Sequence, residues 1–274
     1  MNILFHTIAV EPARWTPQRV SRPLVELLPH IAAAGFREIE IYEPHLGKET
    51  VSPALKKAFA DNGLVPRILS SYLSLNPNET TDAELQSKVE QIAERTDFYE
   101  LQKLRLFPGP KMRPSDEAGV EVFIRRVKII AGRLPNLEIL LETHDGSLAD
   151  DPEVITRIVK ELALPNVGLL FQATFFQDRE SILEQFRIEK PFIRHVHLQN
   201  RLPDHSFVGM REGIIPWAEI LTELDTSVEG TLEFVPAGVC GEDRFNLAAT
   251  LEQARAEADY VRGIAGKPRP PASR

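Results

Sequence analysis

The chain has 274 residues, of which 43% are hydrophobic and 26% charged, and its single cysteine, Cys240, excludes an intrachain disulfide and a cysteine-based zinc cluster. The formal net charge of −8 argues against a nucleic-acid backbone as the main partner, because phosphate neutralisation needs a basic face. The composition therefore predicts an ordinary globular protein of a reducing cytoplasm.

The first residues of the chain are predicted to form a strand rather than a targeting segment. His6 and Thr7 interrupt the apolar run at the N-terminus, and no basic residue precedes it. No stretch of the sequence approaches the roughly 20 apolar residues of a membrane span. We therefore expect neither a signal peptide nor a membrane partner.

Short β-rich runs alternate with longer helical patterns along the chain. The predicted strands cover residues 2–9, 37–42, 65–70, 104–107, 137–142, 167–171, 193–198 and 230–234. The predicted helices cover residues 23–34, 52–62, 82–95, 116–132, 151–162, 179–186, 216–223 and 247–265. Gly35 and Gly63 stand where helices should end, Ser52 and either Thr80 or Thr81 where they should begin. Pro29 is expected to kink or split the first helix.

Eight strand–helix units in about 250 residues predict an α/β fold, a single-domain (β/α)8 TIM barrel. The alternative, a doubly wound open sheet, usually has a glycine-rich turn after its first strand, and the corresponding AVEPARWTP segment contains no glycine. We expect one domain over residues 1–266. The Pro-rich, basic residues 267–274 are predicted to be a disordered tail.

Polar residues end four consecutive predicted strands. Glu142, Gln172, His197 and Glu233 are spaced by 30, 25 and 36 residues, one in each βα unit. In a TIM barrel the carboxyl ends of the strands carry the chemistry, so these side chains should converge. Two carboxylates, an imidazole and an amide oxygen suit one divalent ion such as Mn, Zn, Co or Mg. A lone glutamate at a strand end is more often solvated or paired with arginine, so the prediction depends on all four being in register.

Five segments resemble the xylose isomerase-like TIM barrel superfamily, the sugar phosphate isomerase/epimerase group: LLETHDG, PNVGLLFQATFF, HVHLQNR, GMREGIIPW and GTLEFVP. The resemblance covers residues 2 to 262, with the detailed matches in the second half. It implies one metal ion held by Glu142, Gln172, His197 and Glu233, with the two glutamates as catalytic acid and base.

The chain departs from that family pattern at three positions. Gln172 stands where the family usually has aspartate, which removes one negative charge from the ligand set. Phe175 replaces a frequent histidine, and Leu148 replaces a second glutamate of the keto-sugar epimerases. Seven histidines and an acidic surface argue against the endonuclease branch with its trinuclear zinc site. The chain also lacks the second metal site of true xylose isomerases.

Further residues near the predicted strand ends are candidates for the substrate site. His144 is predicted to bind a substrate hydroxyl or shuttle a proton; the alternative is a loop histidine bonded to Asp145. Substrate-binding candidates on the strands are His6, Lys103, Arg105 and Arg201, with Glu40 and His45 as weaker ones. His195 is expected one layer deeper than His197. Aromatic walls could come from Trp15, Phe107, Phe175, Phe176 and Trp217, although core packing is their default role.

The first functional hypothesis is a divalent-metal-dependent isomerase or epimerase that acts on a sugar or polyol ketone through an enediolate. A lyase that eliminates a β-leaving group from an oxidised sugar, such as a keto-inositol or 3-keto-glycoside, shares the same first half-reaction. A third hypothesis is a barrel that lost its metal through Gln172 and only binds carbohydrate. All three predict a small-molecule sugar or polyol as the partner, and the chain could also form a homo-oligomer.

Overall fold

A computed structural model describes residues 1–14, 20–109, 117–174 and 178–265. The tail 267–274 and the aromatic candidates Trp15, Phe175 and Phe176 lie outside these ranges. The strands are β1 (Ile3–His6), β2 (Glu38–Tyr42), β3 (Val65–Ser71), β4 (Lys103–Leu106), β5 (Glu138–Glu142), β6 (Val167–Phe171), β7 (Ile193–Leu198), β8 (Asn200–Arg201), β9 (Phe207–Val208) and β10 (Glu229–Leu232). The helices are α1 (Leu24–Ala33), α2 (Pro53–Asp61), α3 (Asp82–Tyr99), α4 (Glu117–Arg133), α5 (Pro152–Leu162), α6 (Arg179–Glu189), α7 (Trp217–Glu223) and α8 (Leu247–Ala265).

Eight of the strands form a closed parallel barrel in the order β1-β10-β7-β6-β5-β4-β3-β2. Each barrel strand is followed by a helix, which confirms the predicted TIM barrel. Strand β1 ends at His6 and continues as a short 3-10 helix, Thr7–Val10, where the sequence predicts a longer strand. The antiparallel β8–β9 hairpin, which follows β7, was not predicted.

The helix boundaries follow local capping chemistry. Thr81 and Glu84 form a reciprocal capping box at the start of α3, and the Asp151 side chain caps α5. Gly35 and Gly63 follow α1 and α2 with φ of +94° and +60°, which glycine adopts without strain. Because the eight barrel strands are parallel, each βα loop lies at the same end of the barrel.

The prediction that Pro29 splits the first helix is wrong. Helix α1 runs unbroken from Leu24 to Ala33 with Pro29 inside it. The lost N–H would have bonded to the carbonyl of Val25, whose side chain is exposed on the outer surface of the helix. On the opposite face Leu27, Leu28 and Ile31 are buried, and this burial offsets the cost of the proline.

The amino end of the barrel is closed by ion pairs. Lys103 Nζ lies 3.2 Å from Glu138 Oε2 and 3.1 Å from Glu229 Oε2. Arg67 lies 2.7 Å from Glu38 Oε1, and all five residues begin or flank the starts of strands. The two neighbouring cations on β4 and β3 are therefore flanked by carboxylates on β5 and β2, and the side chains keep partial contact with solvent.

Candidate active site

The four predicted metal ligands meet at the carboxyl end of the barrel. Glu142 is the last residue of β5, Gln172 follows β6, His197 is the penultimate residue of β7 and Glu233 follows β10. All four are buried, with no more than 4% of each residue exposed. His197 Nδ1 lies 3.2 Å from Glu142 Oε1 and 3.4 Å from Glu233 Oε2. The end of the Gln172 amide that faces the carboxylates lies 2.9 Å from Glu233 Oε2 and 3.3 Å from Glu142 Oε1.

These separations fit ligands that share one divalent cation. Bonds of about 2.0–2.2 Å in a tetrahedral site put neighbouring ligand atoms about 3.3 Å apart. An oxygen at the facing end of the Gln172 amide would repel the carboxylates unless a cation lies between them, whereas a nitrogen there would donate to both. His6, His197 and Glu233 also offer ligand atoms within 4.8 Å of one another. The donor set therefore suits a divalent metal ion.

A buried carboxylate orients the His197 ring. Its Nε2 lies 3.1 Å from Glu40 Oε1, and Glu40 also accepts a hydrogen bond from Ser70 and lies 3.4 Å from His6. Because Glu40 accepts from Nε2, Nδ1 is the ring nitrogen that faces Glu142 and Glu233; it donates to Glu142 here and would be the ligand atom for a bound cation. Such carboxylate–histidine pairs fix the tautomer of metal-binding histidines. Glu40 on β2 thus has a more central position than the sequence indicated.

The two carboxylates of the site have different electrostatic surroundings. Burial opposes ionisation of Glu142, but the ion pair with Arg105 and the hydrogen bond from His197 lower its pKa to about 2. Burial raises the pKa of Glu233 to about 7, and Glu142 adds to this effect while His197 opposes it. Burial also opposes protonation of His197, yet Glu233 and Glu40 raise its pKa well above the usual value. In the metal-free site the surroundings therefore favour ionisation of Glu142 over that of Glu233.

The backbone at Gln172 is held from two sides. Thr143 Oγ1 donates to the Gln172 carbonyl at 2.7 Å and accepts from its N–H at 2.8 Å. Gln185 Nε2 on α6 donates to the same carbonyl at 3.0 Å, and Gln185 Oε1 accepts from Thr174 N at 2.9 Å. These hydrogen bonds fix the backbone from which the Gln172 side chain extends toward the site.

Four of the other predicted site residues lie at this end of the barrel. His6 lies beside Glu40, and the Arg105 guanidinium stacks on Tyr72 and Phe107. Arg201 stacks on Phe207 at 4.3 Å. The ring of the half-buried His144 packs against Phe107, with 5.0 Å between the ring centroids. Its Nδ1 lies 2.7 Å from the Asp145 carbonyl oxygen, as the alternative of a loop histidine bonded to Asp145 predicts.

The structure corrects the prediction for Lys103. This residue begins β4 and its ammonium group is paired with Glu138 and Glu229 at the opposite, amino end. Lys103 and Arg105 share a face of the strand but are two residues apart, about 6.6 Å along it. Lys103 therefore does not reach the substrate site.

Three further residues support the site from within the barrel. Trp217 is buried in the core, and its indole N–H donates to the Gln199 carbonyl at 2.7 Å, so it supports the end of β7 rather than forming an aromatic wall. His195 lies one layer below His197 and contacts Thr231 Oγ1 at 2.7 Å. Gln199 follows His197 by two residues and points to the same face, where it contacts Gln172 and Glu233. The sequence did not indicate a role for it.

The family model for the xylose isomerase-like TIM barrel matches residues 28–236, and the chain belongs to this family. A 3-dehydroshikimate dehydratase from Bacillus anthracis is 23% identical over 216 residues, which cover 71% of this chain and 76% of the relative. Among the residues that the structure describes, no helix is both long and apolar enough to cross a membrane.

Solved structures of three relatives share the fold over nearly their whole lengths. The probable 3-DHS dehydratase from Bacillus anthracis has a TM-score of 0.72 at 20% identity, covering 94% of this chain and 99% of its own. The IOLI protein, solved with a zinc atom, has a TM-score of 0.75 at 16% identity, covering 97% and 100%. D-psicose 3-epimerase from Clostridium cellulolyticum H10, solved with D-tagatose, has a TM-score of 0.68 at 16% identity, covering 97% and 99%. At these identities the structural likeness establishes the fold alone.

Proposed function

We propose that the chain is a divalent-cation-dependent lyase that eliminates water from a small polyhydroxylated ketone. Glu142, Gln172, His197 and Glu233 would hold the cation, because their donor atoms converge at ligand spacing. When bound, the cation would polarise a substrate carbonyl oxygen as a Lewis acid. The enzyme class is supported by the family and by the dehydratase relative.

The observation that carries the proposal is the unequal partnering of the two carboxylates. Both oxygens of Glu142 face cationic or donor groups, Arg105 at Oε2 and His197 at Oε1. Glu233 Oε2 faces Gln199 Nε2 at 3.0 Å and His197 at 3.4 Å. The ion pair with Arg105 weakens Glu142 as a base, whereas the partners of Glu233 Oε2 are an amide and a histidine, which leaves Glu233 the better candidate. The site therefore provides one mobile proton acceptor rather than two equivalent ones.

A single acid–base group suits elimination on one face of the substrate. Glu233 takes the proton from the carbon next to the carbonyl, and the electron pair of that C–H bond forms a C=C bond. The β-carbon–oxygen bond breaks, and Glu233 returns the proton to the departing hydroxyl, which leaves as water. Arg105 and Arg201 lie at the same mouth and are proposed to bind substrate oxygens or a carboxylate.

Isomerisation or epimerisation is the second candidate. Glu142 faces the same cluster as Glu233, so a substrate between them could receive a proton from the second carboxylate on its other face. This alternative has the same ligands and the same initial base. It differs in that no C–O bond breaks.

Turnover in D₂O distinguishes the two reactions. Mn²⁺-loaded protein is incubated with 3-dehydroshikimate and, separately, with D-psicose and inosose, and the products are followed by proton NMR and ultraviolet absorbance. We expect loss of water and a conjugated product without deuterium in recovered substrate. Deuterium exchange with epimer formation and no loss of water would contradict elimination and support the second candidate. Binding without turnover would leave only the carbohydrate-binding hypothesis.

A further inference from the structure

Gln172 is an unusual ligand because its two ends differ chemically. The carbonyl oxygen of an amide can bind a cation, whereas its NH₂ group can only donate hydrogen bonds. The orientation of the Gln172 amide therefore decides whether the site has four donor atoms or three. A carboxylate of the same length would present an oxygen in either orientation.

A chain of hydrogen bonds determines this orientation. Arg201 Nε donates to Gln199 Oε1 at 3.0 Å, which fixes the oxygen end of the Gln199 amide. Gln199 Nε2 must then face the ligands, where it donates to Gln172 Oε1 at 2.7 Å and to Glu233 Oε2 at 3.0 Å. Gln199 is only 1% exposed, so water does not replace these partners.

The opposite orientation of the Gln172 amide would gain hydrogen bonds to the carboxylates but would bring two donor groups together. Its nitrogen would donate to Glu233 Oε2 at 2.9 Å and to Glu142 Oε1 at 3.3 Å, joining the two carboxylates without a cation. It would also lie 2.7 Å from Gln199 Nε2, so that two donors face each other. Turning Gln199 as well would remove that conflict but would place its NH₂ group against the Arg201 donor.

Building on the proposed function, we propose that Arg201 and Gln199 are positioning residues that hold the Gln172 amide with its oxygen toward the cation site. Arg201 sets the direction of Gln199, and Gln199 sets the direction of Gln172. The relay would keep an amide oxygen toward the two carboxylates even though the turned amide could donate to both. It also gives Arg201 a role in addition to the substrate contact predicted from the sequence.

The test measures Mn²⁺ affinity by isothermal titration calorimetry, with no substrate present. Gln199→Leu lets the Gln172 amide rotate so that its NH₂ group faces the cation site. We expect a 10- to 100-fold loss of Mn²⁺ affinity, the range for lost hydrogen-bond partners of metal ligands. Arg201→Met, which removes only the outer end of the relay, should weaken binding at least threefold. The matched control is Gln253→Leu, which removes a side-chain hydrogen bond to Ala237 N at 2.8 Å away from the ligands; it should leave affinity within twofold.

The decisive comparison uses Gln172→Glu, whose two oxygens are equivalent. In that background Gln199→Leu should change Mn²⁺ affinity less than threefold, because no orientation remains to be fixed. An equal loss in both backgrounds, or wild-type affinity in Gln199→Leu, would overturn the relay while leaving the ligand set intact. Wild-type protein that takes up no Mn²⁺ would overturn the proposed function, and the relay with it.

Discussion

The two ends of the barrel bury the same kinds of residue for different purposes. At the amino end Lys103 and Arg67 lie among Glu38, Glu138 and Glu229, and each cation contacts two carboxylates. At the carboxyl end Glu40, Glu142 and Glu233 are more deeply buried, and they face Arg105 and the histidines. Both ends set three carboxylates against fewer cations, but the amino-end side chains keep contact with solvent, whereas the carboxyl-end carboxylates are almost fully buried and carry a larger desolvation cost. We therefore propose that the amino end stabilises the barrel and that the carboxyl end binds a cation.

The largest expected effect comes from Glu233→Gln at the carboxyl end. The amide keeps the shape of the side chain but cannot accept the substrate proton, so kcat should fall by about 10³-fold or more. The measurement is kcat on whichever substrate shows turnover, with circular dichroism to verify the fold. Glu229→Gln at the amino end is the matched control and should retain kcat within about threefold; a comparable loss there would contradict the division between the two ends.

Removing Lys103 should affect stability and not chemistry. Lys103→Met removes the cation that joins Glu138 and Glu229 and leaves Glu229 with Arg67 at 3.7 Å, so we expect the free energy of unfolding to fall by about 1–3 kcal/mol. Urea denaturation measures this change, and Mn²⁺ affinity should stay within twofold. Lys56→Met removes an exposed pair with Glu100 and should cost about 0.5 kcal/mol or less. A loss of Mn²⁺ affinity in Lys103→Met would place this residue in the functional site after all.

Adding a negative charge at the carboxyl end should improve cation binding. Gln172→Glu keeps the side-chain length and supplies a charged ligand, so Mn²⁺ affinity should rise about tenfold or more. The same variant without metal should be less stable, because a third carboxylate joins Glu142 and Glu233. Calorimetry measures the first effect and urea denaturation the second. Unchanged Mn²⁺ affinity would show that Gln172 does not contact the cation.

The smallest effect is a pH dependence of the metal-free protein. Burial raises the pKa of Glu233 from 4.5 to about 7, so between these values the native state binds a proton that the unfolded chain has lost. The free energy of unfolding contributed by Glu233 is therefore present below pH 4.5 and lost as pH rises through 7. In EDTA, wild-type protein should lose more stability than Glu233→Gln between pH 5 and 8, and equal losses in urea denaturation would contradict the assignment.

The sequence was sufficient to predict the barrel and the meeting of four strand ends. Strand periodicity places Glu142, Gln172, His197 and Glu233 on inward faces, and the parallel barrel brings their strands together. The position of a side chain along the barrel axis was harder to predict. Lys103 and Arg105 point to the same face of β4, yet Lys103 forms its ion pairs at the amino end of the barrel and Arg105 at the carboxyl end. Contacts across the barrel, such as that between Glu40 and His197, depend on its stagger and not on spacing.

The orientation of the Gln172 side chain could not be predicted from the sequence, for a different reason. The direction of the Gln172 amide depends on Gln199, which depends in turn on Arg201, and each link is a rotamer choice in a buried network. Likewise, the two-residue strands β8 and β9, which carry Arg201 and Phe207 to the mouth, are too short to show a periodic pattern.

The most direct test of the central claim is the metal content of protein purified without chelator, measured by elemental mass spectrometry on wild type and Glu233→Gln in parallel. We predict about one divalent ion, manganese, zinc, cobalt or magnesium, per wild-type chain and a clear loss in the variant. Absence of metal in wild type, with no uptake when Mn²⁺ or Zn²⁺ is titrated in, would contradict the claim that the carboxyl end of this barrel binds a cation.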